Sequence, residues 1–337
     1  MDNVSAISVI IPMYNSENYL GECLDSLLSQ TFQDFEVIVI NDCSTDNSRQ
    51  IAETYLEKFS GRLKIFDNEK NFGAGASRNN GLRLSSGEYV FFLDADDKIT
   101  PNAFKEMYDL ANNYDVDVVN CTKFYRVNEG DKEFKMIDIN EAIDKEIVEE
   151  DILFRMDNLL RNKIGWRVWL RLSRRDFLLE NEIFFAEDIE YAEDQVWTHG
   201  LIFCAKKIVH IPRAYYFYRI HKDSIVWKKR DSLQIINVRL RVVINGLKWI
   251  EGIMGKVEFF QQNPKLRQKV LDRFTQRFFG SFFNRSLKLQ QSEIYESIKQ
   301  EFGKDFGDYD VLISTLLTLV NANQKRIEDL KKILENK

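Results

Sequence analysis

The sequence predicts an α/β protein with a mostly parallel sheet flanked by helices. Strand-like and helix-like segments alternate through the first third of the chain. The strand-like segments are apolar along their whole length, which is typical of strands covered by helices on both faces. Polar residues follow directly where these segments end. The alternation of strand-like and helix-like segments favours right-handed β-α-β units.

In chain order, strands are predicted at "AISVIIP", "FEVIVIN", "LKIF" and "EYVFFLDADD". Helices are predicted between them, at "ENYLGECLDSLLSQ", "STDNSRQIAETYLEKF" and "GAGASRNNGLRLSS". After the fourth strand, Thr100 and Pro101 suit the N-cap and first turn of a helix over "PNAFKEMYDLANN". These segments form the predicted core.

The rest of the chain divides into two further parts. Residues 124–146 are charged and suggest a hairpin or a mobile excursion, and "EIVEEDILFRMDNLL" predicts a helix. From about Trp227 the pattern is almost wholly helical, up to a last helix beginning "VLISTLLTLV". We therefore expect a main α/β domain over 1–226, with halves at 1–123 and 124–226, and a separate helical region over 227–337.

Composition excludes several classes of protein. The chain has 337 residues, and its 47 basic and 53 acidic residues give a net charge of -6, so nucleic acid is not an expected partner. The four cysteines have neither metal-ligand spacing nor a paired pattern, which favours reduced thiols. "VLISTLLTLV" is shorter than the roughly 20 residues that span a bilayer. We expect a cytoplasmic protein, soluble or peripheral on the inner face of the membrane.

Two carboxylates one residue apart, Asp94 and Asp96, follow the fourth strand. In α/β sheets, ligands bind outside the carboxyl ends of the strands, where the loops converge. Oxygen ligands in this arrangement suit Mg²⁺ or Mn²⁺, which keep positions for substrate phosphates. The alternative is a polar turn before a helix.

Six segments carry a resemblance to a known family. They are "SVIIPMYN", "NDCSTDNS", "NFGAGASRNNGL", "YVFFLDADD", "YAEDQVWTHGL" and "YYFYRIHKDSI". In order and spacing they resemble the inverting family 2 glycosyltransferases with the GT-A fold, over roughly residues 6–226. The resemblance implies transfer of a sugar from a nucleotide-diphosphate donor, most often a UDP-sugar, to a glycan or lipid-linked acceptor, in the synthesis of surface polysaccharide.

The resemblance also implies a donor site. It assigns the first nucleotide-binding loop to Pro12, Tyr14, Asn15 and Glu17. Asp42 matches the acidic residue that contacts the base, usually uracil, and Arg78 matches a basic residue near the nucleotide. From the residues alone, Asp42 could simply begin a helix and Arg78 could be a solvated helix residue.

The metal and catalytic residues are implied in the same way. Asp96 matches the direct ligand of Mn²⁺ or Mg²⁺, and Asp94 the carboxylate that contacts ribose or metal-bound water, with Ala95 between them. Arg219 and His221 match a late motif that closes over the diphosphate, where His221 is a further metal ligand.

Glu193 and Asp194 match a Glu-Asp pair of the family. The resemblance implies that Asp194 is the catalytic base. Without the motif order, this acidic run is more typical of a solvated face. Trp169 matches a tryptophan that precedes the acceptor region and is counted among the substrate-binding residues. Departures from the family pattern occur at four positions, Asn41, Cys43, Arg171 and Ser173.

A late helix combines aromatic and basic residues. They are Phe274, Phe278, Phe279, Phe282, Phe283, Arg267, Lys269, Arg273, Arg277 and Arg285. We expect a buried aromatic face packed on neighbouring helices or on a second subunit. The alternative is a face that rests on an anionic membrane or grips a lipid-linked acceptor.

Two other functions fit the fold. A sugar nucleotidyltransferase would need a glycine-rich, basic loop after the first strand, and "PMYNSENY" has none. A non-catalytic glycan- or partner-binding protein would not need Asp94, Asp96 and Asp194 together. An inverting, metal-dependent glycosyltransferase is therefore the favoured hypothesis.

Overall fold

The computed structural model describes residues 5–130, 133–221 and 232–283 of the chain. Within these ranges the strands are β1 (Ile7–Met13), β2 (Phe35–Asn41), β3 (Leu63–Asp67), β4 (Tyr89–Phe92), β5 (Lys98–Ile99), β6 (Val118–Asn128), β7 (Lys135–Asp138), β8 (Ile147–Glu149), β9 (Arg171–Arg174) and β10 (Ile208–Ile220). The helices are α1 (Leu20–Leu28), α2 (Ser48–Thr54), α3 (Ala74–Leu84), α4 (Ala103–Tyr114), α5 (Ile152–Leu160), α6 (Arg175–Glu180), α7 (Glu193–Cys204), α8 (Ser232–Lys256), α9 (Glu258–Gln262) and α10 (Pro264–Phe283).

A continuous sheet runs through the fold in the order β3-β2-β1-β4-β9-β6-β10-β5, with β7 paired to β6 and β8 paired to β10. The block from β3 to β4 is parallel, as its apolar strands predict. β9 is antiparallel to both β4 and β6 and joins this block to the later strands. The predicted α/β fold is confirmed, although the sheet as a whole is mixed.

The inner parallel strands β2, β1 and β4 are buried because helices cover them on both faces, whereas β3 at the edge of the sheet is only partly buried. Every residue of β2 is buried, and in β1 Pro12 is the one residue that is partly exposed. α3 packs directly on β1 at Gly81, where an added Cβ would overlap the Ile10 side chain. This close packing fixes α3, and with it the residues that α3 carries into the site.

The start of α4 differs from the prediction. The N-cap is Asn102, and Thr100 lies in the preceding turn, where its carbonyl accepts a 3.2 Å bond from the Ala103 N–H. The Thr100 hydroxyl is buried and has no hydrogen-bond partner among the described residues. The predicted Thr100 cap was wrong because Gln30 fixes this turn instead, through a 2.8 Å bond to the Thr100 carbonyl.

Residues 124–146 contain the predicted hairpin, formed by β6 and β7. The helix predicted at "EIVEEDILFRMDNLL" begins later than expected, because Ile147–Glu149 forms β8 on β10. Two β-branched residues, Ile147 and Val148, favour the strand. Asp151 then caps α5 by accepting a 2.8 Å bond from the Leu153 N–H.

The described part of the C-terminal region, 232–283, is helical as predicted. α8 packs on α7 at Gly200, where an added Cβ would lie 2.5 Å from the Trp249 ring, and α10 packs on α8 at Gly246, where an added Cβ would lie 2.6 Å from the Phe274 ring. Phe274 and Phe278 are buried, so packing on neighbouring helices is confirmed for these two. The side chains of Phe279, Phe282 and Phe283, together with Arg285 and "VLISTLLTLV", lie outside the described residues.

Two expectations from composition can be compared with the coordinates. The four cysteines are free thiols. Across 5–130, 133–221 and 232–283, no helix combines the length and the apolar character needed to cross a membrane.

The packing of α10 leads to a test of stability. Phe274 is 2% exposed and contacts His199 and Phe278. Phe274→Ala should lower the free energy of unfolding by about 3–5 kcal/mol, because truncation leaves a cavity. Urea denaturation measures this, with Leu153→Ala as the control because Leu153 is 56% exposed. Equal midpoints for both variants would show that α10 is not part of the core.

Candidate active site

The loop after β1 is held to the loop after β2 by side chains of the first predicted motif. Asn15 adopts a left-handed backbone conformation (φ 47°), and its side-chain oxygen accepts a 2.7 Å bond from the Thr45 N–H. Glu17 accepts a 3.0 Å bond from the Asn47 N–H. Tyr14 remains 50% exposed, so its ring is free to contact a ligand.

Asp42 lies at the end of β2 and is 3% exposed. Its carboxylate accepts bonds of 2.7 Å from the Asn68 amide and of 2.8 Å from the N–H groups of Phe72 and Gly73. Asp42 therefore organises the loop before α3, and contact with a base stays a prediction. The next residue, Cys43, has φ 61°, a conformation that glycine adopts without strain. The departure at Cys43 therefore places a residue with a side chain in a backbone conformation that favours glycine.

Arg78 connects the two acidic motifs. Its guanidinium donates a 2.7 Å bond to Asp94 Oδ1 and a 2.9 Å bond to Glu193 Oε1. Arg78 is 5% exposed, so it is not the solvated helix residue of the alternative interpretation. Burial alone would lower the pKa of Arg78, but the two carboxylates raise it above its ordinary value.

Asp97, the third carboxylate of "DADD", is a site residue that the motif analysis did not assign. It is 1% exposed and accepts 2.7 Å bonds from the Tyr216 hydroxyl and from the Arg219 N–H. Burial, followed by the charges of Asp96 and Asp94, raises the pKa of Asp97 well above its ordinary value. Asp97 thus ties the turn after β4 to the end of β10. The sequence signal for this was a third acidic residue directly after the pair.

Trp169 lies behind this turn. It is 4% exposed and stacks on Tyr216, with ring centroids 3.9 Å apart. Tyr216 in turn accepts a 3.2 Å bond from the Asp94 N–H. In this structure Trp169 supports the acidic turn from the core, and its contact with substrate stays a prediction.

The late motif reaches the turn as the resemblance implied. His221 Nε2 lies 2.8 Å from Asp96 Oδ2, and its ring packs against Tyr19. Arg219 donates a 2.9 Å bond to the Asp96 carbonyl and a 2.8 Å bond to Glu22. Residues 125 positions apart therefore meet at one point of the cleft.

The donor set fits a hard divalent cation. In the described residues, no group of three or more His, Cys, Asp or Glu side chains is arranged to hold a metal. Asp96 and His221 nevertheless converge, while Asp94 faces Arg78. One or two protein ligands completed by substrate phosphates and water are typical of Mg²⁺ sites, and carboxylates and imidazole are also ligands of Mn²⁺.

Glu193 and Asp194 form the first turn of α7, after Ala192 in a left-handed conformation (φ 64°). Burial, together with the charge of Glu193, raises the pKa of Asp194 to about 7, against the lowering effect of Arg78 and Arg167. A carboxylate with a pKa near neutrality is suited to accept a proton from a hydroxyl.

The structure thus gathers the predicted residues at the carboxyl edge of β1, β2 and β4. The turn after β4 brings together Asp94, Ala95, Asp96, Arg219 and His221, and Arg78 links it to Glu193, the neighbour of Asp194. Asp42 and the loop from Pro12 to Glu17 occupy the neighbouring strand ends. Trp169, by contrast, lies in the core behind the turn.

Comparisons of the chain with known proteins agree on one family. The family model described as "Glycosyl transferase family 2" matches residues 8–174. The putative glycosyltransferase EpsH of Bacillus subtilis (strain 168) is 32% identical over 273 residues, which cover 80% of this chain and 74% of that protein. The uncharacterized glycosyltransferase YibD of Escherichia coli (strain K12) is 29% identical over 269 residues, covering 78% of this chain and 77% of that protein.

A solved structure is also similar. The crystal structure of S. aureus TarS 1-349 in complex with UDP-GlcNAc has a TM-score of 0.68 and 25% identity, covering 95% of this chain and 87% of that one. The full Staphylococcus aureus (strain MW2) protein, poly(ribitol-phosphate) beta-N-acetylglucosaminyltransferase TarS, is 35% identical over 221 residues. That match covers 64% of this chain and 36% of TarS.

The Arg78 bridge can be tested directly. Arg78→Met should destabilise the fold by about 3 kcal/mol or more, because two mostly buried carboxylates lose their partner. Thermal and urea unfolding measure the loss. In the triple variant with Asp94→Asn and Glu193→Gln, no carboxylate of the bridge remains unpaired, so part of the stability should return. A triple variant less stable than Arg78→Met would refute the charge pairing.

Proposed function

The chain belongs to glycosyltransferase family 2, and on that premise we propose that it is an inverting, metal-dependent enzyme that uses a UDP-linked sugar. The acceptor in this proposal is a hydroxyl of a glycan or lipid-linked molecule in the synthesis of a surface polysaccharide. The observation that carries the proposal is the Arg78 bridge, because it places the Asp94 turn and the Glu193–Asp194 turn on one cleft.

The donor side is proposed to lie between the β1 loop and the turn after β4. Exposed Tyr14 would contact the nucleoside, and Asp42 would contact the base through lone pairs not used by the loop. Asp96 and His221 would hold Mg²⁺ or Mn²⁺, which neutralises charge on a departing diphosphate. Arg219, fixed by Asp97 and Glu22, would keep His221 in place.

The acceptor side is proposed to lie at Asp194. Direct displacement with inversion requires a base on the face of the sugar opposite the leaving group. Asp194 fits this role because it begins α7 at the cleft and its pKa is about 7. Arg78 neutralises Glu193, so the neighbouring Asp194 can lose its proton more readily than beside a free carboxylate.

The metal assignment predicts a difference in ligand stabilisation. UDP should raise the melting temperature more with Mn²⁺ than with a chelator, and Asp96→Asn should abolish this difference because the direct ligand is lost. His221→Ala should weaken it less. Asp176→Asn, at a carboxylate that is 74% exposed on α6, is the matched control. Equal stabilisation with metal and chelator would remove the metal from the proposal.

The base assignment predicts a selective loss of chemistry. Positioned acid-base catalysis is worth about 10²–10⁴ in rate, so Asp194→Asn should lose about that much transfer while UDP affinity stays near wild type. The donor is first identified by screening sugar nucleotides for hydrolysis, and turnover and calorimetric UDP binding are then measured on the same variant. Transfer within a few-fold of wild type, or collapse of UDP binding, would point instead to Glu193 or Asp188.

Asp194 should also set the pH dependence of kcat/KM. A base acts when deprotonated, so kcat/KM should fall as the pH drops through about 7, the pKa of Asp194. Glu193→Gln removes a charge that raises this pKa, so its acid limb should move to lower pH. An unmoved limb would assign the titration to another group.

A further inference from the structure

Three arginines besides Arg78 lie close enough to the proposed base to be influenced by its charge. They are Arg167, in the segment before β9, Arg171, the first residue of β9, and Arg277, on α10. The charge of Asp194 acts on all three guanidinium groups. Parts of the chain distant in sequence therefore bring positive charge to the same side of the cleft.

None of the three is neutralised by a carboxylate in contact with it among the described residues. Arg171 is 2% exposed and donates to the carbonyls of Gly165 and Arg167. Arg277 donates a 2.6 Å bond to Gln195 Oε1 and a 3.3 Å bond to Asn162 Oδ1, which are neutral acceptors. These bonds orient the guanidinium groups but leave their charge uncompensated.

Arg167 has the least committed side chain. Its guanidinium lies 4.8 Å from the Phe124 ring centroid and 5.8 Å from that of Trp169. Within the described part of the chain this guanidinium makes no hydrogen bond or ion pair. Aromatic faces hold a guanidinium in place while leaving its N–H groups directed outward. The five donors of Arg167 are therefore available to a ligand.

The charges do not balance on this side of the cleft. Three guanidinium groups without an ion pair lie within range of the charge of one carboxylate, Asp194, whereas Arg78 is paired with both Asp94 and Glu193. Arginine keeps its proton in proteins, so partly buried, unmatched positive charge calls for a bound anion. The planar fork of arginine matches phosphate oxygens closely.

We propose that Arg167 and Arg277 form a phosphate subsite beside Asp194, and that the acceptor carries a phosphate group near the hydroxyl that is glycosylated. The inference rests on the proposed function, because it takes Asp194 as the base on the acceptor side. The two arginines approach from different elements, so they can contact different oxygens of one phosphate. Arg171 supports the subsite by holding the backbone of Arg167.

The experiment uses the full chain saturated with UDP and Mg²⁺, so that the donor site is occupied. Glycerol 3-phosphate, glycerate and glycerol are then titrated by NMR as phosphate, carboxylate and neutral probes. Glycerol 3-phosphate should bind at least tenfold more tightly than glycerol and more tightly than glycerate. Arg167→Gln and Arg277→Gln should each weaken its binding by about tenfold, since each removes charge-assisted hydrogen bonds.

Matched variants distinguish a loss of binding caused by lost charge from one caused by unfolding. Arg83→Gln removes a 52% exposed arginine of α3 and should leave binding of glycerol 3-phosphate unchanged. Arg277→Lys keeps the charge beside Trp166 and should lose less affinity than Arg277→Gln. Melting temperatures are recorded for every variant, and Arg277→Lys replaces Arg277→Gln in the comparison if the latter unfolds.

The outcomes distinguish this inference from the function on which it rests. Normal UDP binding and donor hydrolysis, together with equal affinity for glycerol 3-phosphate and glycerol, would overturn the subsite and leave the glycosyltransferase proposal standing. Weaker UDP binding in Arg167→Gln would place Arg167 on the donor diphosphate and also overturn it. Failure of the wild type to bind UDP would overturn both proposals.

Discussion

The bridge from Arg78 to Asp94 and Glu193 is the interaction on which the site depends. It joins α3, the turn after β4 and the start of α7, three elements that come from both halves of the sheet. A buried guanidinium and two largely buried carboxylates are tolerated only when they satisfy each other. The pairing therefore fixes the position of the turn after β4 relative to the first turn of α7, and close packing of α3 on β1 at Gly81 keeps Arg78 in position.

The acidic turn after β4 needs further support because its carboxylates repel one another. Asp97 is held by Tyr216 and the Arg219 N–H, and Asp94 is held by Arg78. Asp96, which is less buried, keeps an oxygen directed to His221. The two more buried acids thus organise the turn, while the third contacts His221. This division explains why three closely spaced acidic residues can follow a buried strand.

Local patterns predicted the fold well where burial decides it. β1, β2 and β4 are apolar on both faces, so their existence and order followed from the sequence. β8 was missed because three residues between charged neighbours carry little signal, and its pairing with β10 is a long-range contact. The site residues were predicted by motif order, but their partners were not. Nothing near Arg78 indicates a bond to Glu193, 115 residues away, and nothing near Asp97 indicates Tyr216.

The C-terminal helices contact the helix that carries Asp194. Arg277 on α10 donates to Gln195, the residue after Asp194, and its guanidinium lies over Trp166, 4.8 Å from the ring centroid. α10 is itself anchored by Phe274, which packs on His199 of α7. Since α7 carries Asp194 in its first turn, the helix of Asp194 and the helix of Arg277 share one core. A change in the packing of α10 would therefore alter the surroundings of Asp194 without any substitution in the sheet.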